Sequence, residues 1–180
     1  KSNSTLLNEI DVIAIIEMGK KYSKFNPYNL NGFNLFSQLR PNRKGGGIGI
    51  YVRKNLNAHV IYSELTDDYE ILHLEITKYE DTRNVIGMYR PPSGKFDPFM
   101  QALEALLMRI EENVVIIGDI NLNTNTNLGS LSPHSNDYIS LLNNYNHCIY
   151  NQAVTRFNKV TNKHSTIDHV ISHKNRNDII

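Results

Sequence analysis

The chain has 180 residues, enough for one sizeable core and too few for two comfortable domains. Hydrophobic residues at 40% and charged residues at 21% are ordinary globular usage, which excludes a disordered, collagen-like or disulfide-stapled chain. The formal charge of +1 advertises no polyanionic partner, so any nucleic-acid contact must come from local patches.

Leu6, Leu7 and Ile10 recur at helical spacing, and Val12-Ile13-Ala14-Ile15-Ile16 is an apolar run of buried-strand length. This predicts a helix and then a central strand. Glu17 follows directly, a carboxylate placed where a strand buried on both faces leaves its sheet. Residues 20–44, rich in Asn, Pro, Lys and Tyr, read as a loop region punctuated by Gly45-Gly46-Gly47. Strands are expected over 48–53, 70–77 and 84–88, joined by polar turns as an antiparallel set. Leu72, Leu74 and Ile76 alternate with Ile71, His73 and Glu75, which predicts one buried face and one partly wet.

Asp97-Pro98 signals a helix start, and Phe99, Leu103, Leu106, Leu107 and Ile110 give the 3.6 period of a helix over 97–112. Val114-Val115-Ile116-Ile117 then reads as a buried strand stopping at Gly118, and the helix between two strands makes an α/β crossover and a mixed sheet. Residues 123–133 read as a surface loop and Ser135 as the start of a short helix with Tyr138, Leu141, Leu142 and Tyr145 on one face. The last expected strand is 167–171.

Cys148 lies in an apolar stretch, where a buried, inert thiol suits a reducing compartment. No apolar run approaches the roughly 18 residues of a membrane span, and Lys1-Ser2-Asn3-Ser4-Thr5 lacks a signal-peptide core. The expectation is a monomeric nuclear or cytoplasmic protein with no membrane contact. Without an initiator Met, the chain reads as a piece of something longer.

Asp119 and Asn121 follow a β-branched strand and a glycine, and in an extended i, i+2 arrangement both side chains point one way. A carboxylate and an amide sharing a site suit phosphoryl chemistry. The same residues equally suit an Asx-turn that only satisfies backbone amides. Glu17 and Asp119 each sit past an apolar strand, so one sheet rim can hold both carboxylates as hard oxygen ligands for Mg²⁺ or Mn²⁺. No His/Cys spacing resembles a structural zinc site, and a metal site on His164, His169 and His173 is disfavoured. Tyr89 and Arg90 precede the rigid Pro91-Pro92 turn, where a phenol and a guanidinium can reach a phosphate or simply sit at an edge.

These features occur in a recognisable order. Asp11-Val12-Ile13-Ala14-Ile15-Ile16-Glu17, Gly32-Phe33-Asn34-Leu35-Phe36, Gly45-Gly46-Gly47-Ile48-Gly49-Ile50-Tyr51-Val52, Tyr89-Arg90-Pro91-Pro92, Gly118-Asp119-Ile120-Asn121, Thr155-Arg156-Phe157 and Ser165-Thr166-Ile167-Asp168-His169 succeed one another. Over nearly its whole length the chain resembles the endonuclease/exonuclease/phosphatase superfamily, especially the apurinic-like endonuclease domain of non-LTR retrotransposons of the jockey and CR1 kind. The resemblance implies a DNase-I-like four-layer α/β sandwich of two packed mixed sheets flanked by helices, with the active site at one rim. It implies Glu17 as the Mg²⁺ ligand, with Asp119 a second candidate, and Tyr89 on the scissile phosphate. Asp119 would align or deprotonate the attacking water, with Asn121 fixing the phosphate and Thr155 touching it. Asp168 would orient a catalytic histidine. The implied product is a nick whose free 3′-hydroxyl primes reverse transcription by a reverse transcriptase domain of the same polyprotein.

Three departures stand out. The family's first strand, with an active-site Asn, is expected before Leu6, and its closing Ser-Asp-His motif after Ile180. The 180 residues alone are therefore expected to be inactive or nearly so, and neither His169 nor His173 can replace the absent histidine. Met18-Gly19 stands where the family has Thr-Trp. Arg40, Arg43, Lys44, Arg90 and Arg156 are the candidate DNA contacts, because phosphate neutralisation supplies most non-specific affinity. A degenerate or domesticated remnant that keeps the fold, and a phosphatase or sphingomyelinase relative on the same fold, remain open as alternatives.

Overall fold

The structure, a computed structural model, describes residues 9–19, 29–40, 45–110 and 113–175. Strands β1 (Val12–Ile16), β2 (Phe33–Gln38) and β3 (Ile48–Arg53) pair antiparallel in the order β1-β3-β2. A second sheet comprises β4 (Asn57–Leu65), β5 (Glu70–Lys78), β6 (Asp81–Tyr89), β7 (Val114–Asp119), β8 (His147–Ile149) and β11 (Asp168–His173), in the order β4-β5-β6-β7-β11-β8. Within it β6 and β7 run parallel and the other neighbours antiparallel, so this sheet is mixed, as expected. Strands β9 (Arg156–Asn158) and β10 (Lys163–Ser165) form a separate hairpin.

Parallel neighbours cannot be joined by a tight turn, and the crossover is helix α1 (Phe96–Leu107). Its buried Phe99, Leu103, Leu106 and Leu107 recur at i, i+4, i+7 and i+8 and pack with Ile71, Ile86, Met88, Ile116 and Ile171 on one face of the six-stranded sheet. Helix α2 (Pro133–Asn144) joins that layer through Tyr138 and Leu142. The opposite face of the same sheet presents Leu72, Leu74, Ile76, Val85 and Tyr89 to Ile48, Ile50 and Val52 of β3. The result is the expected α/β sandwich of two packed sheets with helices outside. The helix predicted around Leu6 and Leu7 falls on positions outside the described residues. No helix among the described residues is long and apolar enough to cross a membrane.

Several expectations need correction. β5 is buried on both faces over most of its length, because α1 covers the side that carries Ile71 and His73. β7 runs on through Gly118 to Asp119. α1 starts one residue earlier than Asp97, with Lys95 at the capping position and no side-chain cap, so Asp97 is a first-turn residue and not the cap. It ends at Leu107, short of the predicted 112. α2 starts at Pro133, where Ser132 Oγ accepts the Ser135 N–H at 3.1 Å. β2 emerges from the supposed loop, and β4, β8, β9 and β10 are additional to the expected strands.

Leu103→Ala should cost about 2–5 kcal/mol, because Leu103 is fully buried between α1 and the sheet. Met108→Ala, at a position 70% exposed, should stay within about 0.5 kcal/mol. Urea denaturation of the two variants measures both.

Candidate active site

Strand register assembles the site. Glu70 pairs with Tyr89, Tyr89 with Asp119, and Asp119 with Asp168, so β5, β6, β7 and β11 each place one residue in a single cross-strand row. Directly opposed residues share a face. This row lies on the face that meets the three-stranded sheet, because Leu72 and Val85, of the same parity as Glu70 and Tyr89, pack there. Glu17 reaches the same rim from the end of β1, where the Tyr89 hydroxyl donates to its Oε1 at 2.6 Å.

Around Asp119 the backbone is closely interlocked. Gly118 has no space for a side chain, since a Cβ would strike the Met88 carbonyl oxygen across the parallel pairing. Ile120 turns into the core and is fully buried. The Arg90 N–H donates to the Asp119 carbonyl at 3.0 Å, and Asn121 Nδ2 donates to the Arg90 carbonyl at 2.9 Å. Asn121 is not extended: its φ is +53°, and its N–H donates to Asp119 Oδ1 at 3.1 Å. That is an Asx-turn, the local alternative left open for this motif, and the turn itself orients the carboxylate.

Asp119 has its pKa pushed up to about 6, first by burial, then by the charge of Asp168 and, to a lesser extent, of Glu17. The Asn121 N–H and the Arg156 guanidinium oppose that rise. Three carboxylates therefore crowd one rim. The Tyr89 phenol is pushed well above its ordinary value by burial and by its hydrogen bond to Glu17, so it stays protonated and remains a donor. Thr155 supports the backbone, since its Oγ1 accepts the Ile167 N–H at 3.0 Å and the Asp168 N–H at 3.1 Å and so fixes the start of β11. Its own proton is left for another acceptor.

His169 faces away from this row. It is buried, its Nδ1 lies 3.2 Å from the Tyr138 hydroxyl, and burial lowers its pKa to about 4. His164 is on the hairpin against Phe157, and His173 is beside His147. The three histidines are not brought together.

Two of the arginines offered as DNA contacts are not on the surface. Arg40 is 8% exposed and its Nε is bonded to the fully buried carboxylate of Glu70. Arg90 is 6% exposed, with Nη1 donating to the Ile120 carbonyl at 3.4 Å. Burial lowers its pKa, against the charge of Asp119. Arg156 is exposed and donates to Asn121 Oδ1 at 3.4 Å. Arg43 and Lys44 lie outside the described residues. Sequence reading missed the rest of the β9–β10 hairpin, where Phe157 and His164 pair with ring centroids 4.7 Å apart beside exposed Lys159 and Lys163. The signal was available: basic and aromatic residues interleave over 156–164.

Among the described residues no three His, Cys, Asp or Glu side chains are close enough to hold a metal ion by themselves. Mg²⁺ does not need such a cage, because it is commonly bound through one or two carboxylates, with water and substrate oxygens completing the shell. The Glu17 and Asp119 carboxylates have the right donor chemistry, and their crowding favours a cation.

A profile of the endonuclease/exonuclease/phosphatase family matches residues 2–177. The chain belongs to that family. A search of curated proteins found no match. Among solved structures, this family member is similar to the endonuclease domain of TRAS1, a telomere-specific non-LTR retrotransposon. The identity is 13% and the TM-score 0.71, over 95% of this chain and 76% of the other. An AP endonuclease from Archaeoglobus fulgidus matches at 10% identity and TM-score 0.62, over 94% and 78% of the two chains. The mannosyl-6-phosphatase Bt3783 of Bacteroides thetaiotaomicron matches at 11% and 0.56, over 96% and 74%. The shared fold is the DNase-I-like sandwich, and the family's phosphoester hydrolases are the class to which this domain belongs.

A carboxyl whose pKa rises on folding binds its proton more tightly in the native state, so stability is lost as pH rises from about 4 to about 6. Asp119→Asn should therefore be more stable than wild type at pH 7, by about 1 kcal/mol after allowing for solvent screening. The advantage should vanish below pH about 4. Thermal melts of both proteins across that range test it.

Proposed function

We propose that the domain is a metal-dependent DNA endonuclease of a retrotransposon polyprotein, nicking target DNA to prime reverse transcription by a reverse transcriptase domain of the same polyprotein. The observation that carries this reading is the in-register row of Tyr89, Asp119 and Asp168 beside Glu17, with Asp119 poised to exchange a proton near neutral pH. The similarity to the TRAS1 endonuclease domain supports the retrotransposon assignment.

Asp119 is the group that aligns an attacking water and takes its proton, and its Asx-turn keeps the carboxylate facing the rim. Tyr89 can turn its hydroxyl proton from Glu17 to a non-bridging phosphate oxygen. The second Nδ2 hydrogen of Asn121, with Arg156 beside it, supplies further donors to the same phosphate. Asp168 keeps the rim negative and holds the pKa of Asp119 up. Mg²⁺, or Mn²⁺ in its place, held by Glu17 with Asp119 nearby, would neutralise charge developing on the phosphoryl oxygens. The exposed hairpin with Arg156, Phe157, Lys159, Lys163 and His164 offers cations and rings to an extended polyanion, which favours DNA over a small phosphomonoester.

With the domain expressed in its flanking reading frame, Asp119→Ala should lower plasmid nicking by about 10²–10⁴-fold. Equal nicking by wild type and variant would sink the mechanism. The wild-type rate should fall in acid, because the basic form of Asp119 is then lost, and with the cation bound that fall should lie below the pH of about 6 set by burial and the neighbouring carboxylates.

Lys159→Ala combined with Lys163→Ala should weaken DNA binding with little change in the nicking rate at saturating DNA. The slope of log affinity against log salt should fall by about two. An unchanged slope, measured by fluorescence anisotropy, would remove the hairpin from the interface.

A further inference from the structure

Glu70 begins β5 with a carboxylate that is fully buried, a position that is costly unless the charge is paired and hydrogen-bonded. Both conditions are met. Arg40 donates its Nε to Glu70 Oε1, and the Gly47 N–H donates to Oε2 at 2.8 Å. Arg40 also donates Nη2 to the Thr66 carbonyl at 3.4 Å, and its guanidinium carbon lies 5.8 Å from the centre of the Tyr89 ring.

From this pair a continuous set of contacts leads to the rim. Gly45, Gly46 and Gly47 all have positive φ, and a Cβ on Gly46 would strike both Glu70 and Arg40. The Gly47 and Gly46 carbonyls accept the Met18 N–H at 3.1 Å and the Gly19 N–H at 3.0 Å. Those two amides immediately follow Glu17, which is held at φ +61°, a left-handed conformation unfavourable for a residue with a long side chain. Gly45 closes against the Glu17 carboxylate, with its Cβ position 3.7 Å from Oε1. Thus one end of the path fixes the Glu17 backbone, and the other, through Arg40, sits against the ring of Tyr89.

We propose that Arg40 and Glu70 are positioning residues: their buried ion pair anchors the triple-glycine loop, which holds the Glu17 carboxylate in a strained conformation ready to take a divalent cation. The inference rests on the phosphodiesterase reading and adds to it a pair that touches neither ion nor substrate. It also explains the three consecutive glycines, since the loop threads between a buried charge pair and the site.

The test uses the ¹⁵N-labelled 180-residue chain with Mn²⁺ as the probe. Mn²⁺ affinity is read from the electron paramagnetic resonance of the free ion, and Met18 and Gly19 amide exchange by NMR. Two variants are compared with wild type: Glu70→Gln, which keeps shape and loses charge, and Arg40→Met with Glu70→Leu, which fills the same space with apolar atoms and is expected to fold. In both, Mn²⁺ affinity should drop about 10–100-fold, as for outer-shell partners of metal ligands, and Met18 and Gly19 should exchange faster. Circular dichroism should remain that of wild type. A folded variant with wild-type Mn²⁺ affinity overturns the proposal, whether or not exchange changes. Weaker binding with unchanged exchange overturns the route through the glycine loop. Wild-type protein that neither binds Mn²⁺ nor nicks DNA in its flanking frame is the failure of the phosphodiesterase reading itself. Wild-type binding that a folded variant retains is the failure of this inference alone.

Discussion

The parallel pairing of β6 with β7 is the constraint on which the site depends. It sets Tyr89 opposite Asp119, requires α1 as a crossover, and leaves Gly118 no alternative because Met88 lies directly beneath it. Antiparallel partners on either side, β5 and β11, extend the row to Glu70 and Asp168. A slip of one residue in any of these registers would move a row member to the helix-covered face, where His169 and Ile71 are buried. Core packing thereby holds the chemistry: Ile116, Ile86 and Ile71 lock against α1, and the alternation of side chains then sends Asp119 and Tyr89 to the opposite face.

On that face the electrostatics are unbalanced by the way the fold places its charges. Glu17 and Asp168 both act on Asp119, while Arg40 and Arg90 are buried behind them. Arg90 sits under the Asp119–Asn121 turn and Arg40 under Tyr89, so cationic groups support the rim from below while the rim itself stays acidic. An acidic rim repels a phosphodiester unless a cation intervenes. The exposed basic residues of the β9–β10 hairpin lie next to the rim through the contact of Arg156 with Asn121. The surface thus separates an exposed basic hairpin from an acidic rim.

Much of this was legible in the sequence, for identifiable reasons. The Val114–Asp119 strand and the helix before it carry strong apolar patterns, and carboxylates just past such strands fall at a sheet rim whatever the detailed topology. Glu17 and Asp119 were reachable on that ground, Tyr89 through the rigid Pro91-Pro92 turn that ends its strand, and Asp168 only through the family resemblance. β4 was not, because most of its residues are exposed and it lacks a buried alternation, and β2 is half polar. The burial of Arg40 was hidden for another reason. A charged residue in a polar stretch reads as solvated, and only a partner thirty residues away, itself buried by sheet packing, brings it inside. The left-handed Asn121 was hidden likewise, since nothing local distinguishes an extended Asp-x-Asn from an Asx-turn.

The costs carried at the rim bear on whether this fold serves chemistry or merely persists. Five non-glycine residues among those described have positive φ, and three are asparagines, the residue type that tolerates it best. Tyr79 is the fourth and sits in the tight turn between β5 and β6, where hairpin geometry demands it. Glu17 is the fifth, and no hairpin explains it. A domain retained only for its fold gains nothing from a strained glutamate, a half-buried aspartate with a raised pKa, and a buried ion pair behind them. Each lowers stability relative to an apolar or relaxed alternative. Their convergence on one rim is the pattern expected where stability is exchanged for a preorganised site.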